Sequence, residues 1–211
     1  MWAFAAPAPT AGHTIVQSSQ QLAAMVAEMQ HPPVRAFDFE TNGLRYANGD
    51  HPVGVSIGHW HHTPVPRVWY LPFRHLTTEP QLSVDVARRA FADALRDAPE
   101  VIGHNLKFDL NMAQADNWDV PDSALMHCTL VQAFLCYEKR ALQLEKLAAS
   151  DLAGQLRWDP FEYKNRVDEV IKERSRLHKL GKKDYLARFG HSEIPVSIEG
   201  EYSCRDVAHT L

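Results

Sequence analysis

The sequence has few cysteines and no long apolar run, and each absence excludes a class of protein. Its 211 residues include only three cysteines, Cys128, Cys136 and Cys204. These are too dispersed for a zinc knuckle and odd in number for a disulfide framework, so a reducing cytoplasm is the expected setting. No stretch approaches the roughly 18–20 apolar residues that cross a bilayer. The first residues also lack the basic region of a signal peptide.

Phosphate-binding glycine loops are also missing. Neither G-x-x-x-x-G-K-[ST] nor G-x-G-x-x-G occurs, which argues against P-loop and dinucleotide-binding proteins. With 45% hydrophobic and 23% charged residues, the composition is that of an ordinary folded protein. The net charge is −4, yet residues 155–190 contain ten Lys and Arg against six Asp and Glu. This basic stretch is either a solvated helix face or a surface that meets a polyanion.

The hydrophobic pattern predicts one α/β domain, a mixed sheet flanked by helices, over residues 14–211. We expect residues 1–13 to form a flexible tail. Strands are predicted at residues 14–17, 34–41, 53–60, 67–72 and 101–104. Helices are predicted at residues 20–30, 84–96, 106–115, 124–137, 142–152, most of 161–180, and 196–211. The last helix has no capping Gly or Pro, so we expect the chain to be part of something longer.

Two acidic residues lie within the strand that we predict to be central. Asp38 and Glu40 are two positions apart in residues 34–41, so both carboxylates lie on one face of that strand. Adjacent acids in a core strand repel each other unless a cation offsets their charge. Oxygen-rich sites of this kind suit Mg²⁺ or Mn²⁺.

Two further pairs share a helix face. Asn105 and Asp109 are four apart where a strand passes into a helix, and Tyr202 and Asp206 are four apart on the final helix. D-x-E and Y-x-x-x-D are common by chance in a chain of this composition, whereas N-x-x-[FY]-D is scarce. Four acids and a tyrosine converging on one divalent-metal site would make a two-metal phosphodiester hydrolase.

These segments, read together, resemble a known family. Phe37-Asp-Phe-Glu-Thr41, Gly103-His-Asn-Leu-Lys-Phe-Asp109 and Tyr202-Ser-Cys-Arg-Asp206 are similar to the three exonuclease motifs of the DEDDy class. The resemblance is closest to the 3′-5′ proofreading domain of family A DNA polymerases, the DNA polymerase I type. It covers about residues 14–211.

The resemblance implies a ribonuclease H-like fold and stepwise removal of nucleotides from a 3′ end. It implies that Asp38, Glu40 and Asp206 hold one Mg²⁺ or Mn²⁺ ion, and that Asp38, helped through water by Asp109, holds a second. Tyr202 would orient the attacking water. Thr41, Leu44, Asn105 and Phe108 are the residues expected to support the site or to contact the substrate.

The sequence departs from the family pattern in two places. Cys128 stands where the family usually has an Asp before Thr129, although that position is not one of the four acids. The segment between Asp109 and Tyr202 is longer than in bacterial proofreading domains, and the excess falls on the basic stretch. Phage-type family A polymerases often carry such extra helices, so a bacterial or phage-encoded origin is expected.

Three readings of the function stay open. The first is a proofreading exonuclease that acts on single-stranded or frayed DNA and works with a polymerase module, which this chain itself lacks. The second is a ribonuclease D-like exonuclease acting on RNA. The third is a nucleic-acid-binding or polymerase-docking module without catalysis, which the presence of all four acids and Tyr202 disfavours.

Overall fold

The structure, a computed structural model, describes residues 12–63, 65–137, 141–151, 159 and 161–211. Residues 1–11 of the expected flexible tail lie outside the described residues. Gly12 and His13 were assigned to that tail, and this was wrong, because both belong to the first strand. Gly12 N donates to Pro66 O at 3.1 Å, which ties this strand to the sheet from its first residue.

The centre of the protein is a mixed sheet. Its strands are β1 (Gly12–Ile15), β2 (Val34–Thr41), β3 (Pro52–His59), β4 (Arg67–Pro72), β5 (Glu100–Gly103) and β6 (Leu125–Cys128). They are ordered β1-β4-β3-β2-β5-β6. The β4-β3-β2 core is antiparallel, and β1, β5 and β6 pair parallel to their neighbours. β2 therefore lies between an antiparallel and a parallel partner.

Helices cover both faces of the sheet. They are α1 (Ser19–Glu28), α2 (Val84–Leu95), α3 (Leu106–Ala115), α4 (Thr129–Cys136), α5 (Leu144–Asp151), α6 (Glu162–Leu177), α7 (Lys182–Phe189) and α8 (Val196–Thr210), with a short 3₁₀ turn at Tyr46–Asn48. The main core joins one sheet face to α1, α2 and α3, and a second cluster joins the other face to α8. Within the described residues, no helix is both long and apolar enough to cross a membrane.

The predicted helix over residues 124–137 was wrong in its first half. Leu125–Cys128 is strand β6, paired in parallel with β5, and the helix begins only at Thr129. The four-residue run Leu-Met-His-Cys has no strand alternation, and its pairing with β5 decides its conformation. Cys128 occupies the position before α4, and its side chain makes no capping hydrogen bond.

Among the described residues of the basic stretch, a second helix follows the predicted one. The helix predicted within residues 161–180 ends at Leu177, Lys179 adopts a left-handed φ of 56°, and α7 follows. The two helices share an apolar cluster that includes Val167, Ile171 and Tyr185. Tyr185 is buried there, so its ring is core rather than a platform for bases.

Helix α8 lies directly on the sheet because the residues that it turns toward the sheet are small. A Cβ added at Gly200 would meet Ile15 at 2.8 Å and Tyr70 at 2.9 Å, so only glycine permits this approach. Nearby, Ser203 Oγ donates to Ser56 Oγ at 2.8 Å across the same interface. This close packing brings the final helix against β2 and β3.

The segment that follows α7 touches the end of β2 through backbone atoms. A Cβ at Gly190 would lie 2.3 Å from the carbonyl carbon of Asn42 and 2.5 Å from Thr41 O. Gly190 also has a φ of 50°, which L side chains rarely adopt. The next residue, His191, donates its N–H to Thr41 O at 2.9 Å. Glycine is therefore required where α7 joins the sheet.

We expect Gly190→Ala to lower the free energy of unfolding by about 2 kcal/mol, because the new methyl group meets fixed backbone and the residue is strained. Gly181→Ala is the matched control at the other end of α7, where the nearest contact of an added Cβ is 3.5 Å. Urea unfolding of both variants measures the difference. Equal stabilities would contradict the close approach.

Candidate active site

Strand β2 extends beyond its parallel neighbour, and this exposes the backbone where the acids lie. β5 pairs only with Val34–Ala36 of β2, whose remaining residues continue along β3. The N–H of Phe39 donates instead to Asp109 Oδ1 at 3.0 Å. The carboxylate of Asp109 thus takes the position that a strand partner would hold.

The turn between β5 and α3 places Asp109. Asn105 adopts a left-handed conformation with a φ of 58°, and α3 begins at the next residue. This turns the chain out of the sheet, so that Asp109 lies buried beside β2 while Asn105 stays exposed. The first helical turn carries no side-chain cap from Asn105. The side chain of Asn105 is therefore free of a capping role.

Helix α8 brings the last two predicted residues to the same place. The charges of Asp109, Glu40 and Asp206 all raise the pKa of Asp38. The four carboxylates therefore form one electrostatic cluster. Tyr202 lies near Asp206, and its hydroxyl lowers the pKa of that carboxyl. Asp38, Glu40, Asp109, Asp206 and Tyr202, which come from three distant segments of the sequence, are brought together by the fold.

Three of the acids have a raised pKa. Burial raises the pKa of Asp38 well above its ordinary value, and the charges of its three acidic neighbours raise it further. Burial likewise raises the pKa of Asp109 to about 8 and, with the charge of Glu40, that of Asp206 to about 7. A divalent cation would offset this repulsion, and carboxylate oxygens are the ligands that Mg²⁺ and Mn²⁺ prefer. The donor set therefore fits a divalent metal site.

Glu40 differs from the other acids because it has a basic partner. Burial alone would raise its pKa, but the hydrogen bond and positive charge of His191 bring the pKa of Glu40 below its ordinary value. His191 Nδ1 lies 3.0 Å from Glu40 Oε2 and 2.7 Å from Glu199 Oε1. Sequence reasoning missed His191 and Glu199, since neither stands in a motif and only the fold places them beside Glu40.

One cleft opens beside Glu40. It has a volume of about 680 Å³, and Thr41, Leu44 and Phe108 line it together with α7. Leu44 is 76% exposed, so its side chain is available for contact. The Thr41 hydroxyl, by contrast, donates to Gly43 O at 2.7 Å and holds the turn after β2.

A second cleft opens on the other side of Asp38. It has a volume of about 630 Å³ and is lined by Asp38, Asn105, Tyr202, Asp206 and the start of α5. Of the predicted substrate contacts, Asn105 faces this cleft, whereas Thr41, Leu44 and Phe108 face the first. The acid cluster thus lies between two open clefts.

Three basic residues of the stretch form ion pairs within the protein. Lys164 pairs with Glu145, Arg166 with Glu201 at 3.5 Å, and Lys182 with Asp168 at 2.8 Å. These pairs tie α6 to α5, α8 and α7. Lys183 instead lines the cleft beside Glu40, as do Arg45 and His191.

Comparison with known proteins gives one family match. The family model described as 3′-5′ exonuclease matches residues 13–211. No curated protein matches the chain.

Solved structures share the fold. The Trypanosoma brucei RNase D–GMP complex matches with a TM-score of 0.57 at 17% identity, over 94% of this chain and 55% of that one. A chain in the structure of the yeast NOT1 MIF4G domain co-crystallised with CAF1 matches with a TM-score of 0.52 at 13% identity. The match covers 75% of this chain and 84% of that one. Brucella melitensis NrnC with bound Mg²⁺ gives 0.43 at 16% identity, covering 92% of each chain. The architecture is ribonuclease H-like.

Removing one of the clustered acids should stabilise the metal-free protein. In EDTA we expect Asp38→Asn to raise the thermal midpoint by at least about 2 °C, since each kcal/mol of relieved repulsion shifts it by roughly 2–4 °C at this size. Added Mg²⁺ should raise the midpoint of the parent protein more than that of the variant. The exposed Asp122→Asn is the control. A midpoint lowered by Asp38→Asn in EDTA would refute the repulsion.

Proposed function

The chain belongs to the 3′-5′ exonuclease family. We propose that it shortens single-stranded or frayed DNA from the 3′ end with two divalent cations. The observation that carries the proposal is the clustering of Asp38, Glu40, Asp109 and Asp206 with Tyr202 between two open clefts. The family is that of a phosphodiester hydrolase. The sugar of the substrate, the number of cations and the residue roles are the proposed part.

Each acid receives a role from its place in the cluster. Asp38 is influenced by all three other carboxylates, and we assign it to both cations. Glu40 and Asp206 complete one ion site, and Asp109 supports the other through water. When bound, such cations make hydroxide available near neutral pH and stabilise the charge on the departing 3′ oxygen. No side chain is needed as a covalent nucleophile.

Tyr202 acts as a neutral phenol. The charge of Asp206 and burial together raise the pKa of Tyr202 well above its ordinary value, so the hydroxyl keeps its proton at neutral pH. A phenol in this state cannot serve as a general base. It can orient a water by hydrogen bonding, with its own position set by Asp206.

The two clefts suggest how a strand would lie. The cleft beside Glu40 is mostly apolar, and a terminal base could stack on the ring of Phe108 and pack against Leu44. The cleft at Asn105 would take the preceding nucleotide, with Asn105 and Lys146 as its polar contacts. The bond to be cut would then lie over the acids.

Two other readings keep some support. An RNA substrate is favoured by the fold shared with RNase D. A polymerase module as partner, covalent or separate, stays a prediction, as does the cytoplasmic setting. A module without catalysis is disfavoured, because the four acids and Tyr202 form one cluster.

The activity test uses 5′-labelled single-stranded DNA, and RNA of the same sequence, with Mg²⁺, Mn²⁺ or EDTA. We expect a metal-dependent ladder that shortens from the 3′ end. Asp38→Ala should lower the rate by at least about a thousandfold, because it removes a ligand common to both cations. Tyr202→Phe should lower kcat by about ten- to a hundredfold and leave metal binding unchanged.

Asp122→Ala is the matched control, since this acid is exposed and lies outside the cluster. A full rate in Asp38→Ala would refute the assignment of the site. Faster cleavage of RNA than of DNA would move the substrate to the ribonuclease D-like reading. Binding of DNA without cleavage under any metal would favour the module without catalysis.

Lys183 should contribute to substrate binding rather than to chemistry. Its ammonium group lines the cleft beside Glu40, where it can offset the repulsion between the acids and a phosphate backbone. We expect Lys183→Ala to raise the KM for single-stranded DNA by about three- to tenfold at low salt, and less at high salt. Lys172→Ala, an exposed lysine of α6, is the control. Equal effects of the two substitutions would mean that only bulk charge matters.

A further inference from the structure

Glu40 has a basic partner, His191, whose side chain is 24% exposed. Nδ1 of His191 lies between two carboxylates, 3.0 Å from Glu40 Oε2 and 2.7 Å from Glu199 Oε1. Glu40 is 6% exposed and Glu199 is fully buried. A buried carboxylate is unfavourable without a partner, and the partner of Glu199 is His191.

Three parts of the fold converge to build this arrangement. Glu40 is on β2, Glu199 is on the first turn of α8, and His191 is on the segment between α7 and α8. The backbone of that segment is fixed to β2, because Gly190 contacts Asn42 closely and His191 N donates to Thr41 O at 2.9 Å. The imidazole is therefore held beside Glu40 by main-chain contacts as well as by its own ring.

We propose that His191 and Glu199 are positioning residues, which fix the Glu40 carboxylate in the orientation that binds a divalent cation. This rests on the proposed role of Glu40 as a metal ligand. His191 Nδ1 faces Oε2 of Glu40, and Glu199 anchors the imidazole by a hydrogen bond at the same nitrogen. Oε1 of Glu40, buried and without a hydrogen-bond partner among the described residues, is left for the cation.

The contact distances support this arrangement, because Nδ1 of His191 lies within 3.0 Å of an oxygen of each carboxylate. Partners of this kind, one step behind a metal ligand, typically contribute about 10- to 100-fold to metal affinity.

A competing arrangement uses the same three residues as ligands of an ion. Glu40, His191 and Glu199 each place a ligand atom within 4.8 Å of the others. The hydrogen-bond distances from Nδ1 to both carboxylates favour direct contact between the side chains over an intervening ion. The number of ions bound distinguishes the two arrangements.

The test measures Mn²⁺ binding to the full chain by calorimetry without substrate, and then kcat and KM on single-stranded DNA. His191→Phe removes the donor and keeps an aromatic ring, whereas His191→Asn keeps an amide N–H near the place of Nδ1. We expect His191→Phe to weaken Mn²⁺ binding by about 10- to 100-fold and to lower kcat while KM for DNA stays within about twofold. His191→Asn should recover most of the affinity.

His127→Phe is the matched control, because it removes another histidine–glutamate pair, 2.9 Å between Nε2 and Glu100 Oε2, at the far edge of the sheet. It should leave Mn²⁺ affinity unchanged. If His191→Phe does not fold, Glu199→Met replaces it, since it removes the anchor of the imidazole at similar side-chain volume. We expect this variant to weaken Mn²⁺ binding as well.

Three results would overturn the proposal. Unchanged Mn²⁺ affinity in His191→Phe, or in Glu199→Met where that variant is needed, would show that Glu40 needs no support. Equal losses in His191→Phe and His191→Asn would assign the effect to packing of the ring. The loss of one whole ion in His191→Phe would make His191 a ligand itself.

Failure of the proposed function gives a different result. If Asp38→Ala binds Mn²⁺ and cleaves DNA like the parent protein, the acid cluster is not the active site, whatever the His191 variants do. If Asp38→Ala loses both properties and His191→Phe loses neither, only the positioning proposal fails.

Discussion

The structure depends on holding four carboxylates together in a buried place. Burial together with mutual repulsion raises the pKa of Asp38, Asp109 and Asp206, whose charged forms would be more stable in water, whereas His191 offsets that cost for Glu40. A fold tolerates such a cluster only if its backbone is rigid and if a cation can offset the charge. The surrounding strands and helices hold the cluster mainly through backbone contacts.

The rigidity comes from strand ends and close helix packing. β2 continues past the end of β5, so that the freed N–H of Phe39 binds Asp109. Gly200 lets α8 lie directly on β1 and β4, which places Asp206 against β2. Gly190 lets the segment after α7 contact the same strand end. Glycines and a shortened strand, rather than the acids themselves, therefore decide the geometry of the site.

Helices α6 and α7 of the basic stretch also shape the surroundings of the acids. The two helices have their own apolar cluster, and several of their charges pair with Glu145, Glu201 and Asp168. Net positive charge therefore does not measure the surface offered to a polyanion. What the two helices contribute beside the acids is a cleft wall, one lysine at position 183, and the segment that carries His191.

Local periodicity and short spacings were enough to predict the strand of Asp38 and Glu40, the helix of Asp109 and the helix of Tyr202 and Asp206, because they encode the faces of single elements. They were also enough to predict the family, since the motifs are local. That Leu125–Cys128 is a strand could be known only from the folded chain, because its pairing with β5 overrides a neutral local pattern. The same holds for His191 and Glu199: their contacts with Glu40 join residues that are distant in sequence, and long-range contacts leave no local signal.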